Sequence, residues 1–63
     1  MKAEIITIGD ELLIGQTIDT NSAYLASELA LIGMPVEQIT TIKDSHDHIV
    51  DALADAEKRA DLI

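Results

Sequence analysis

Apolar residues recur along this chain with two different periods. Ala3-Glu4-Ile5-Ile6-Thr7-Ile8 is short, rich in β-branched side chains and stopped by Gly9. Its apolar positions fall on both faces, the pattern of a parallel strand buried on two sides. Leu25, Leu29 and Ile32 then repeat at spacings of four and three, which predicts a helix over about Ser22–Ile32. Asp19, Thr20 and Asn21 crowd its start with capping side chains, Asn21 being the expected N-cap, while Gly33 takes the C′ position and Pro35 follows. Val36 to Ile42, rich in Val, Ile and Thr, reads as a second strand. Asp44 or Ser45 caps a second helix, His46 to Arg59, with Ile49, Val50, Leu53 and Ala56 toward the core. Asp47, Asp51 and Asp55 form a solvated row on its other side, where Asp55 is expected to pair with Arg59. Ala60-Asp61-Leu62-Ile63 reads as the opening of a third strand.

Two strands, each followed by a helix, open a βαβα(β) chain and imply a parallel sheet with right-handed crossovers. Such a sheet needs helices on both faces and more than two strands. Residues 1–63 are therefore expected to be the amino-terminal fragment of one α/β domain, inactive and not cooperatively folded alone. The first helix is apolar nearly all round, with Tyr24 and Leu31 on one further face and Ala23 and Ala30 on another. Either a half-exposed alanine-rich face or a subunit or domain contact accounts for that.

Charge narrows the classes of partner. Twelve acidic residues against four basic ones give a net charge of −8. Both nucleic acid and anionic lipid would be repelled, so neither is expected as a partner. No apolar run approaches the ~20 residues of a membrane span, and the chain reads as a cytoplasmic protein. Without cysteine there is neither a disulfide framework nor a thiolate metal site.

The segment that could carry chemistry is Gly9-Asp10-Glu11-Leu12-Leu13-Ile14-Gly15-Gln16, directly after the first strand. Ligands of open α/β sheets bind beyond the carboxyl ends of the strands, and glycine there permits close backbone approach. Asp10 and Glu11 could hold a hard divalent cation of the Mg²⁺ or Mn²⁺ kind, which could bridge a phosphate; from spacing alone, a turn with solvated acids is the commoner reading of such residues. Standard phosphate loops do not fit, because five residues separate Gly9 from Gly15 and Gln16 stands where a lysine is needed. No basic residue lies between Lys2 and Lys43. Asn21 could serve as an N-cap, as a hydrogen-bonding ligand residue on the same rim as Asp10, or as both. His46 and His48 are two apart on a helix and point in different directions, so they cannot chelate one ion.

The run from Glu4 to Asn21 resembles the start of CinA-family proteins, the competence/damage-inducible proteins whose first domain is of the molybdopterin-binding (MoaB/MogA/MoeA-like) type. The resemblance continues through Tyr24-Leu25, Leu29, Gly33, the Thr40–Asp44 stretch and Ala60-Asp61-Leu62-Ile63. It implies a three-layer parallel-sheet α/β domain that binds a phosphorylated nucleotide- or pterin-like small molecule. It further implies divalent-metal-dependent ADP-ribose pyrophosphatase activity in the full-length protein, a homo-oligomer, and in many members a nicotinamide-mononucleotide amidase domain. Gly9, Asp10, Glu11 and Asn21 match the family's first motif as ligand-binding positions, with Asp10 as the metal ligand. Many CinA sequences carry threonine at the position of Asp10, and Gly-Asp-Glu-Leu is similar to the molybdotransferase MoeA. The alternative this implies is a molybdopterin-binding domain without hydrolytic activity.

Overall fold

A computed structural model describes all 63 residues, except for the side chain of Leu13. The elements in chain order are β1 (Ala3–Ile8), α1 (Asp10–Leu13), α2 (Thr20–Leu31), β2 (Val36–Ile42) and α3 (His46–Arg59). Both strands, and α3 in full, lie where the hydrophobic pattern puts them. One element is not announced by the pattern: the residues after Gly9 close one turn of helix as α1. Four residues are too few to show any helical period.

β1 and β2 pair in parallel from Ala3 opposite Val36 to Ile8 opposite Ile42. The register jumps after the first pair, since Glu4 faces Gln38 and leaves Glu37 as an extra residue in β2. On the other side of β1, Ala3 makes a parallel bridge to Leu62. The closing segment thus begins a third strand, as its composition predicts, and β1 is the central strand. Thr7 Oγ1 donates to Thr41 Oγ1 at 2.8 Å, a cross-strand pair on one face of the sheet.

α2 begins two residues earlier than its apolar stripe suggests. Its N-cap is Asp19, whose Oδ1 accepts the Ser22 amide at 3.0 Å. Asn21 lies inside the first turn and is not the cap. With Asp19, Thr20 and Asn21 adjacent, any of the three could have capped; the winner is the residue whose backbone has not yet turned helical. The other end follows the glycine. Gly33 has φ 79°, its amide donates to Ala30 O, and the Met34 amide donates to Leu29 O. That pair of bonds is the Schellman closure. Ile32 is therefore the C-cap and is 75% exposed, outside the core stripe in which Leu25 and Leu29 remain.

Right-handed crossovers from β1 to β2 and back to residue 62 place α2 and α3 on opposite faces of the sheet. The dimensions agree. The Cα trace measures 31 × 26 × 11 Å, and a sheet two to three strands wide accounts for the short axis. This is the three-layer parallel α/β arrangement. Its core is thin: Ala3 and Ala56 are the buried apolar side chains among the described residues. Leu25 and Leu29 from α2, and Ile49 and Leu53 from α3, instead line an open apolar cavity of about 470 Å³ along the edge of β1.

Candidate functional site

Parallel strands bring their carboxyl ends to one rim. The Gly9 amide donates to the carbonyl of Ile42 at 3.1 Å, so the last residue of β2 and the first residue after β1 are tied together there. Asp10 and Glu11 follow at once in α1, both exposed. The loop behind them folds back: the amides of Gln16 and Thr17 both donate to Glu11 O, at 2.8 and 3.2 Å. Gly15 turns the chain there with φ 81°.

Gly9 and Glu11 are brought together in a way that spacing does not reveal. A Cβ on Gly9 would meet Glu11 Oε1 at 2.6 Å. The Glu11 carboxylate therefore curls back over the end of β1, in space that only a glycine leaves open. Asp10 stands beside it on the same turn. Asn21 is exposed in the first turn of α2, and no hydrogen bond joins it to Gly9, Asp10 or Glu11 among the described residues. The four candidates are thus one contiguous group of three, plus Asn21 on the helix that follows.

Among the described residues no three carboxylates or imidazoles converge on a common point. The two carboxylates present suit an ion that keeps several waters and takes further oxygens from a bound phosphate, as Mg²⁺ does, and not an all-protein cage. His48 is occupied elsewhere: its Nδ1 lies 2.6 Å from Ser45 Oγ, and its amide donates to the same oxygen at the start of α3. Ser45, one of the two expected caps, is the one used.

The most strongly organised charges lie away from this rim. Glu4 on β1 is 4% exposed and accepts two hydrogen bonds from Arg59, Nε to Oε2 and Nη2 to Oε1, each 2.9 Å. Arg59 thus turns to Glu4 and not, as its spacing on the helix suggested, to Asp55. The guanidinium's hydrogen bonds hold the Glu4 carboxyl below its usual range, against the opposing effect of its burial. The same contact, with a smaller contribution from the charge of Asp55, keeps Arg59 more firmly protonated than usual. Asp19 is also depressed, by its hydrogen bonds from the side chain and backbone of Ser22. The signal that could have found the ion pair is a lone acid near the start of a strand that is otherwise uncharged and mostly apolar.

The fold is that of an open parallel α/β sheet, with Gly9, Asp10 and Glu11 directly beyond the end of β1, the region where ligands of such sheets bind. Comparison with known proteins gives the fold its family: the chain belongs to the molybdopterin-binding domain family, described as a "probable molybdopterin binding domain", whose model matches residues 4–63. It is 44% identical over 63 residues to a CinA-like protein of Flavobacterium psychrophilum and 51% identical over 63 residues to a protein of Halothermothrix orenii described as competence-damage inducible. It covers all of this chain and 15% of each of those relatives. Among solved structures it is similar to the protein CinA of Thermoplasma acidophilum, described as of unknown function, with a TM-score of 0.91 and 32% identity. That match covers 97% of this chain and 37% of the other. The similarity to CinA read from the first motif therefore holds along the whole chain.

Proposed function

We propose that residues 9–21 form one wall of a site for a phosphorylated nucleotide- or pterin-like small molecule, in a longer CinA-like protein that hydrolyses the diphosphate of ADP-ribose with a divalent cation. The observation that carries this reading is the Gly9–Glu11 approach, which seats a carboxylate over the strand end where ligands of such sheets bind. With no basic residue between Lys2 and Lys43, a phosphate beside Asp10 and Glu11 needs a cation between them. Asp10 would be its protein ligand, with Glu11 orienting the same ion or its waters. The bound ion supplies charge neutralisation at the diphosphate and a more acidic water. The chain's own contribution is to hold the two carboxylates, and to offer Asn21 as a hydrogen-bonding group from α2.

The test uses the full-length protein with ADP-ribose and Mg²⁺ or Mn²⁺, scored by release of the two monophosphates and by titration calorimetry. Asp10→Asn keeps the shape and removes the charge. It is expected to lower metal-dependent turnover and affinity at least tenfold, with the melting temperature of the ligand-free protein unchanged. Unaltered metal-dependent binding in the variant would return Asp10 to a turn-forming role. A second reading is favoured by the family's description: a molybdopterin-type ligand bound without turnover. Calorimetric binding with no monophosphate released would select it. The exposed apolar side chains Tyr24 and Leu31 on α2 support a homo-oligomer of the full-length protein. A nicotinamide-mononucleotide amidase domain in the same protein is part of the proposal.

A further inference from the structure

Glu4 is the buried ionisable side chain among the described residues, and the proposed site at the opposite end of β1 makes no use of it. Both its oxygens are consumed by Arg59, whose own side chain remains 45% exposed. Burying a carboxylate in this way contributes little net stability, because desolvation offsets most of the attraction. Such a pair is better suited to specifying one arrangement over another.

The arrangement at stake lies within three residues of the pair. The amides of Asp61 and Leu62 donate to Lys2 O at 2.9 and 3.2 Å, and the Glu4 amide donates to Leu62 O at 2.9 Å. Asp61 Oδ2 also accepts the Lys2 amide at 2.7 Å. These bonds join the chain leaving α3 to β1, and they centre on a single parallel bridge, Ala3 to Leu62. A parallel pairing admits other registers, and a slip of one residue would turn Leu62 and Ile63 to the wrong faces. In the observed register both line the apolar cavity between the helices. A two-pronged guanidinium at the last residue of α3 fixes both the distance and the rotation of the exit, which a point charge cannot do.

We infer that the Glu4–Arg59 pair is a register lock. It sets which residue after α3 pairs with β1, and so directs Leu62 and Ile63 into the groove. The inference does not depend on the ligand or on the proposed hydrolysis.

Amide hydrogen exchange of the full-length protein, followed by NMR without ligand, tests it. Glu4→Gln keeps the side-chain shape and removes the charge; Arg59→Lys keeps the charge and removes the fork. In both variants the Asp61 and Leu62 amides are expected to exchange at least tenfold faster than in the wild type. The Gly9 amide, which reports the β1–β2 pairing through Ile42, should stay within twofold. Unchanged protection at Asp61 and Leu62 would overturn the lock. So would an equal loss at Gly9, which marks a general loss of stability. If Glu4→Gln does not fold, Arg59→Lys decides by the same two comparisons.

Discussion

At Gly9 the absence of one atom decides where a carboxylate sits. Adding a methyl there displaces Glu11 Oε1, the mobile end of a flexible side chain, and leaves the backbone bond from Gly9 to Ile42 in place. Because Gly9 also has φ 159°, where an L side chain is strained, Gly9→Ala is expected to cost about 1–3 kcal/mol of stability, while metal-dependent ligand affinity falls at least fivefold. Thermal melts and calorimetry on the same protein check the two halves separately. Glu4 allows a prediction of opposite kind, because its carboxyl is held below the ordinary value of 4.5. The stability it contributes is fully present above that value and is lost as pH falls through the lower folded-state value. Arg59 stays charged throughout and adds no slope of its own. Melting temperature against pH should thus fall less steeply below 4.5 in Glu4→Gln than in the wild type. Equal slopes would remove Glu4 from the acid response.

The helices separate what is legible in a sequence from what is not. α3 carries Ile49, Leu53 and Ala56 at regular spacing, an acid near its start and Lys58-Arg59 at its end, so its bounds follow from local chemistry. Gly33 likewise announces the end of α2, since a φ of 79° suits glycine. The start of α2 is ambiguous because three successive residues have capping side chains, and only the backbone path selects Asp19. Asp19→Ala should fray the first turn and lower the melting temperature, whereas Asn21→Ala should leave it unchanged; amide exchange at Ser22 distinguishes them directly. Of the site, the place of Asp10 and Glu11 was readable from a glycine after a strand. The return of Glu11 over Gly9 was not, because α1 is too short to leave a period. The Glu4–Arg59 pair was hidden for another reason: 55 residues separate its members, and no local pattern links them.

On the scale of the whole molecule, the three layers are present but the sheet between them is narrow. Large apolar side chains such as Leu25, Val50 and Leu53 are each close to half exposed, and the apolar cavity runs along the edge of β1. The 63 residues alone are therefore expected to bury too little to offset the entropy of ordering them. Urea titration followed by circular dichroism is expected to give a broad, shallow loss of helix, without a two-state transition. A sharp transition whose midpoint does not depend on protein concentration would contradict this.

The central place of β1 also has a consequence for synthesis. It leaves the ribosome well before its partners: Thr41 is 34 residues behind Thr7, and Arg59 is 55 behind Glu4. At about 5–20 residues per second, Glu4 waits roughly 3–11 s for its guanidinium. Until β2 arrives, Ile5, Ile6 and Ile8 form an unpaired, sticky ribbon on a nascent chain, and one edge stays open to any other strand nearby for the rest of that interval. Slow translation of this segment should therefore favour aggregation over folding, and the hazard ends only when the chain beyond α3 arrives to close the second edge.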